Sequence, residues 1–175
     1  ADGPATPLVR PGDPVLASQP IARRGQTGAA AHASVSGRVV AIEERPHPWG
    51  GRSPAIVIQN DERGERYPGG PPPLDPRQLT LEQLVERVEW AGIVGMGGGA
   101  FPTWEKIARS AGRVDTLIVN VAECEPYVTA DYRLLLERSE HILRGAQALA
   151  RCLGCERVVL VTEGDKLNAV EAVER

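Results

Sequence analysis

The apolar positions change texture once along the chain, and that change sets the expected architecture. Residues 1–14 are rich in Pro and Gly and predict an irregular lead-in. Short apolar runs follow at Pro14-Val15-Leu16, Ile21-Ala22, Val35, Arg38-Val39-Val40-Ala41-Ile42 and Ala55-Ile56-Val57-Ile58. The last two are β-branched, of strand length, and bounded by turn residues. No helical period shows before residue 78, so residues 1–67 predict a small all-β module. Tyr67 to Arg77 is dense in Pro, which makes 68–78 the expected linker.

From residue 79 the texture becomes helices alternating with apolar strands. Thr80 is expected to cap an amphipathic helix with Glu82 and Gln83 in its first turn and Leu81, Leu84, Val85 and Val88 on one face. A glycine-rich loop comes next, then a helix near 102–111 and a buried-type strand over Asp115 to Val121. The polar loop Ala122 to Thr129 leads into a long helical region ending near Leu153, inside which Ser139 is expected to cap a second helix. Arg157 to Thr162 predicts another strand and Asp165 to Arg175 a last helix. This order indicates a parallel-sheet α/β domain over 79–175. Two strands make a thin sheet, so that domain is expected to be part of a longer one.

Composition narrows the partners. With 42% hydrophobic and 25% charged residues the chain is ordinary globular protein. A net charge of −3 argues against nucleic acid as the main partner. The sequence shows no signal-peptide pattern and no apolar run of bilayer-spanning length, so no direct transmembrane insertion is expected. That leaves docking on a membrane complex open. Three cysteines, Cys124, Cys152 and Cys155, are too few for a secreted disulfide framework and suit a cytosolic, reducing location.

The candidate chemistry centres on Gly92 to Lys106, where five of the nineteen glycines fall within eight residues and a Phe101-Pro102-Thr103 helix start follows. Clustered glycines cost conformational entropy unless the backbone needs unusual φ or approaches something closely. A helix start offers free N–H groups and a positive dipole end, which together suit a phosphate. Lys106, one of only two lysines, falls about one turn into that helix. The stretch Gly95-Met-Gly-Gly-Gly-Ala100 fits G-x-G-x-x-A, but it follows a predicted helix where the ordinary dinucleotide fingerprint follows a strand. A plain surface loop is the competing reading.

A second candidate is Asn120-Val-Ala-Glu-Cys-Glu-Pro-Tyr127, at the carboxyl end of a predicted strand, where open α/β sheets bind ligands. An amide and two carboxylates there suit the donors and acceptors of a flavin or nicotinamide ring. A turn with solvated acids explains the same residues, and the stretch alone leaves both open. Cys152-Leu-Gly-Cys155 ends a helix, whereas redox pairs begin one, so these are expected to be buried packing cysteines. His32 and His47 are expected to be solvated in or near turns, and no metal ligands are assigned.

In the first half, Gly12-Asp-Pro-Val-Leu-Ala-Ser-Gln19 and Ala33-Ser-Val-Ser-Gly-Arg-Val39 resemble the G-D-x-V-x-x-G-Q and S-G-x-V pieces of barrel-sandwich carrier domains. Such carriers modify a Lys between those pieces. None stands between Gln19 and Ser36, which excludes a covalent carrier role for the module.

GIVGMGGGAFPTWEK followed by NVAECEPYVTAD resembles the C subunit of the Rnf-type electron transport complex, and GDPVLASQPIA with HASVSGRVVAIEE resembles the barrel-sandwich module of that same family. The likeness covers nearly the whole chain. A more distant likeness is to the flavin subunit of respiratory complex I, whose glycine loop also runs into Phe-Pro-Thr and a Lys. The resemblance implies an α/β fold: a small all-β barrel-sandwich module, then a partial parallel-sheet flavin-binding domain. It also implies a non-covalent FMN reduced by NADH, passing electrons to two 4Fe–4S clusters. The implied partners are other subunits of a membrane electron transport complex, met peripherally on the cytoplasmic face of the inner membrane.

By match to the motif, Gly95, Gly97, Gly98, Gly99, Ala100, Phe101 and Lys106 would hold the FMN phosphate side. Asn120 would contact the isoalloxazine, and Glu123 and Glu125 would lie beside flavin and nicotinamide as the catalytic carboxylates. The chain departs from the family in lacking the two Cys-rich cluster motifs, so the clusters are expected only in regions absent from it. Ala122 stands where complex I has Asp, as in the Rnf-like branch. That branch also contains flavin-dependent cobalamin reductases. A non-catalytic interaction domain is the alternative from a different class.

Overall fold

The computed structural model describes residues 5–23, 29–48, 50–96 and 100–174. It divides into two compact units, Ala1–Pro72 with Glu86–Trp104 and Pro73–Val85 with Glu105–Arg175.

The first unit carries six strands: β1 (Thr6–Pro7), β2 (Pro14–Val15), β3 (Pro20–Arg23), β4 (Ala30–His32), β5 (Gly37–Pro46) and β6 (Arg52–Asn60). They form two antiparallel sheets ordered β1-β3-β4 and β2-β5-β6. Among the described residues the two sheets do not close into a barrel. The long β5–β6 pair follows from two β-branched runs of similar length, and Pro54 is tolerated because β6 is a sheet edge. Inward-facing Val15, Ile21, Ala33 and Val39 meet Val9 in the core, with Ile42, Ile56 and Ile58 packed against them. The lead-in is not irregular throughout. Thr6–Pro7 pairs with Ala22 and Arg23 as an edge strand, a position that Pro permits and that local composition hides.

The two resemblance-bearing motifs each have a physical reason. Ser36 is fully buried; its hydroxyl donates to Asp61 Oδ1 at 2.7 Å and accepts from the Glu65 N–H at 3.2 Å. At Gly37 a Cβ would sit 1.9 Å from the Gln59 carbonyl oxygen, so no other residue fits between β5 and β6. In the earlier motif, Ser18 occupies the glycine position of the pattern with a left-handed φ of 70°, and the Gln19 side chain accepts from the Leu16 N–H.

The second unit is built on a parallel pair, β7 (Thr116–Asn120) and β8 (Arg157–Val161), in register from Thr116 against Arg157 to Asn120 against Val161. Helix α3 (Ala130–Leu153) makes the crossover and α4 (Leu167–Glu174) follows. Val119 and Leu160 point to one face and, with Val121, pack on the fully buried Leu135 and Ala169. Burying a leucine side chain completely contributes roughly 1.5–3 kcal/mol, so Leu135 anchors α3 to the strands. On the other face Ile118 is 62% exposed and Val161 41% exposed.

Helix α1 (Leu81–Trp90) begins with the expected cap in reciprocal form. The Gln83 N–H donates to Thr80 Oγ1 at 3.2 Å, and Gln83 Oε1 accepts from the Thr80 N–H at 3.0 Å. Helix α2 runs Thr103–Ser110. The break in α3 lies one residue before the expected cap. Arg138 takes the non-helical φ and ψ of −138° and 26°, so Ser139 is already the first residue of the next helical segment. The helix ends in a left-handed Gly154, with the Cys155 N–H bonded back to Ala150 O at 2.8 Å.

Two further expectations are corrected. Cys152 and Cys155 are half-buried, and the Cys152 thiol donates to Leu79 O at 3.3 Å. They are free thiols, as is the exposed Cys124. His32 is not solvated: it lies in β4, its ring sits edge-on to Trp90 at 5.5 Å, and its Nε2 is buried without a partner among the described residues. Strand pairing across a bulge put it there, which its turn-like neighbours did not reveal. His47 is exposed.

Candidate functional site

In the first unit the two flanks of the glycine-rich stretch are bonded to each other. Val94 and Pro102 form an antiparallel bridge, the Gly95 N–H donates to Phe101 O at 2.9 Å, and the Thr103 N–H donates to Ile93 O at 3.1 Å. The described flanks of the stretch, Val94–Gly95 and Phe101–Thr103, are therefore pinned together, and the second runs straight into α2. Gly92 is required at its own position, where a Cβ would lie 2.2 Å from Ala30 O. Ala100 adopts a left-handed φ of 45°, and Phe101 and Met96 are exposed. Gly97, Gly98 and Gly99 lie outside the described residues.

Lys106, Asn120, Glu123 and Glu125 belong to the second unit. Lys106 is exposed on α2, beside the Glu105–Arg109 ion pair, and its ammonium has no ion-pair partner among the described residues. Asn120 is exposed at the carboxyl end of β7, where its Oδ1 accepts from the Ala122 N–H at 3.2 Å. That bond shapes an Asx-type turn and leaves the Nδ2 donors unused among the described residues.

The two carboxylates part company. Glu123 is half-buried and reaches forward to the start of α3: Oε1 accepts from the Asp131 N–H at 2.9 Å and Oε2 from the Tyr132 N–H at 3.2 Å. These are orphan donors of a helix N-terminus, which Thr129 at the cap position leaves unmet with its own side chain. Glu123 thus serves as the cap and closes the loop 123–131. Glu125 is exposed, and its Oε2 receives only a 3.9 Å contact from the Cys124 thiol.

Two residues at this end of the sheet are given no role by the sequence. Glu163, just after β8, accepts the Glu123 N–H at 2.5 Å and the Thr162 hydroxyl at 3.3 Å. Its own backbone N–H, then that of Glu123, hold its carboxyl below the usual carboxylate range. The signal was present: an acid at the carboxyl end of the neighbouring parallel strand faces the same crevice. The other is Tyr127, with φ 67° and full exposure. A Pro-aromatic pair in a turn was its only mark. Among the described residues, no three His, Cys, Asp or Glu side chains are grouped to hold a metal ion, and no helix is long and apolar enough to cross a membrane.

The chain's similarities fall on these elements. Residues 88–175 match the model of the Nuo51 FMN-binding domain, and residues 2–63 match that of the RnfC barrel sandwich hybrid domain. The C subunit of the proton-translocating ferredoxin:NAD(+) oxidoreductase complex of Clostridium ljungdahlii is 40% identical over 174 residues, 98% of this chain and 38% of that protein. The C subunit of the Na(+)-translocating ferredoxin:NAD(+) oxidoreductase complex of Acetobacterium woodii is 37% identical over 97% of this chain and 39% of its own length. The C subunit of the ion-translocating oxidoreductase complex of Rhodobacter capsulatus is 42% identical over 98% of this chain and 34% of its own length. The chain spans well under half the length of these curated relatives.

Proposed function

Because the chain belongs to the Nuo51 FMN-binding domain family and carries an RnfC barrel sandwich hybrid domain ahead of it, we propose that it is the electron-input part of the C subunit of an ion-translocating oxidoreductase complex. In this reading the chain's residues would hold a non-covalent FMN, for which NADH would be the reductant. 4Fe–4S clusters of the complex would be the electron acceptors. The complex's other subunits are the partners, met peripherally on the cytoplasmic face of the inner membrane. The domain division into 1–67, 68–78 and 79–175 is part of the same proposal.

The observation that carries the reading is a division of labour. Of the polar side chains that match the motif, those of Lys106 and Asn120 retain donors unused among the described residues, whereas Glu123 has a task in the fold. An exposed ammonium one turn into a helix suits a phosphate, and an unpaired amide at a parallel strand's carboxyl end suits a ring carbonyl or imide. The residues present therefore fit FMN. Lys106 would hold the phosphate side, and Asn120 the isoalloxazine. When bound, FMN supplies the step between two-electron and one-electron transfer.

Glu123 has two roles here. It fixes the loop after β7, and its charge discourages the extra phosphate of NADPH by like-charge repulsion. Glu125 is exposed and has only the Cys124 contact for its side chain among the described residues, but the Pro after it restricts its backbone and makes it the lesser candidate for the nicotinamide side.

Purified chain mixed with FMN and passed through gel filtration tests the proposal by its absorption spectrum. Retained flavin bands support it. No retention, together with no flavin fluorescence change at high FMN, sinks it and favours a non-catalytic docking domain. In the complete protein, Glu123→Gln is expected to keep FMN and to slow flavin reduction by NADH in stopped flow. Reduction at the parent rate would remove Glu123 from the nicotinamide side.

A further inference from the structure

The loop that Glu123 closes contains a residue whose conformation the fold does not explain. Pro126 and Tyr127 are the middle residues of a turn in which the Val128 N–H donates to Glu125 O at 3.2 Å. Pro fixes its own φ near −65°, and Tyr127 follows at φ 67°, which together make a type II turn. The third position of such a turn calls for Gly or Asn, because a Cβ there meets the neighbouring peptide. A bulky aromatic at positive φ is a genuine outlier.

Nothing in the described structure repays that strain. Tyr127 has a relative exposure of 102%, so its ring is buried against nothing. It makes no ring–ring contact and no hydrogen bond among the described residues; the ring contact found is between His32 and Trp90. Its neighbours Pro126 and Val128 are exposed as well. Yet the loop is held at both ends: Glu123 grips the Asp131 and Tyr132 N–H groups, and its own N–H is held by Glu163. A clamped loop that presents an unburied aromatic in a strained turn is organised for something outside the fold. Strain of this kind at a strand's carboxyl end points toward a ligand.

We propose that Tyr127 is the stacking residue of this site, its ring lying on a planar heteroaromatic ring of the bound ligand. The inference rests on the functional reading above and names a residue that reading leaves out. Flavin and nicotinamide share the required chemistry: a flat, electron-poor ring whose faces an electron-rich phenol covers. Glu123 is then a positioning residue for Tyr127, through the loop it closes.

The test uses the 175-residue chain with Tyr127→Gly and Tyr127→Phe, each titrated with FMN by flavin fluorescence and with NAD+ by calorimetry in the presence of FMN. Urea unfolding of each variant is followed by circular dichroism. Tyr127→Gly is expected to unfold at a higher urea midpoint than the parent, since glycine relieves the left-handed strain. It should also bind one of the two ligands about tenfold more weakly. Weaker FMN places the ring on the flavin, and weaker NAD+ with unchanged FMN places it on the nicotinamide. Tyr127→Phe should match the parent within about twofold in affinity, because the face and not the hydroxyl makes the contact.

If the parent binds FMN and Tyr127→Gly binds both ligands within twofold of it, the inference fails while the functional reading stands. This includes the case in which Tyr127 docks a protein partner. A lower urea midpoint for Tyr127→Gly removes the strain argument and overturns the inference. Failure of the parent chain to bind FMN overturns both.

Discussion

Removing the carboxylate of Glu123 separates what it does for the fold from what it does for chemistry. In Glu123→Ala the Asp131 and Tyr132 N–H groups lose their acceptors at 2.9 and 3.2 Å, and no side-chain cap from Thr129 is in place to replace them. Loss of an N-terminal cap costs about 1 kcal/mol, and loss of a negative charge at a helix start adds roughly 0.3–1 kcal/mol. The sum, roughly 1.5–2 kcal/mol, is local to the first turns of α3. Peptides covering residues 131–136 should therefore exchange amide hydrogen about tenfold faster or more, by the relation of 1.4 kcal/mol to a factor of ten. The melting temperature should fall by about 3–8 °C for a chain of this size. Glu123→Gln keeps one oxygen in place and should show about half the effect. Unchanged exchange over 131–136 in Glu123→Ala would refute the capping role, and the functional role of Glu123 would then have no structural competitor.

Other consequences are as direct. Gly37→Ala forces a Cβ against the Gln59 carbonyl, and overpacking of that kind costs about 1–3 kcal/mol or more. Trp90 and Trp104 both belong to the first unit, so the tryptophan fluorescence transition should move to lower urea while exchange over 131–136 stays at the parent level. Asp61 is held below the usual carboxylate range first by the Ser36 hydroxyl and then by the Arg63 N–H, and Glu163 likewise by backbone N–H groups. Both folded pKa values lie below the unfolded ones, so their contribution is fully present above about pH 5 and is lost as pH falls through the folded values. Urea midpoints should be level from pH 7 to about 5 and decline below it. Asp61→Asn with Glu163→Gln should flatten that decline, and an unaltered acid slope would show that these two groups do not set it.

How much of this the sequence disclosed depended on the range of the interaction involved. The Thr80–Gln83 cap was legible because both partners sit three residues apart, and β7 and β8 because β-branched runs between turn residues leave few alternatives. Ser36 and Gly37 stood out as a motif, but their reason, a buried hydroxyl on Asp61 and a carbonyl of β6, needs the pairing of β5 with β6. His32 was misread because its surroundings are set by Trp90, far along the chain. Glu123 looked like chemistry, and local pattern gave no sign that its carboxylate would reach eight residues on to cap α3. Tyr127 stands in the candidate stretch, but its positive φ and full exposure are set by the folded loop and leave no local sequence mark.

The central claim is that this chain holds FMN through the residues the fold leaves free, and Lys106 is the sharpest of them. Equilibrium titration of FMN into the parent and Lys106→Ala chains by flavin fluorescence tests it directly. Loss of one charge-assisted contact to phosphate is worth about 1.5–3 kcal/mol, so affinity should fall roughly ten- to hundred-fold while the circular dichroism spectrum and melting temperature stay at the parent values. Equal FMN affinity in the two chains, or no FMN binding by the parent, would contradict the account.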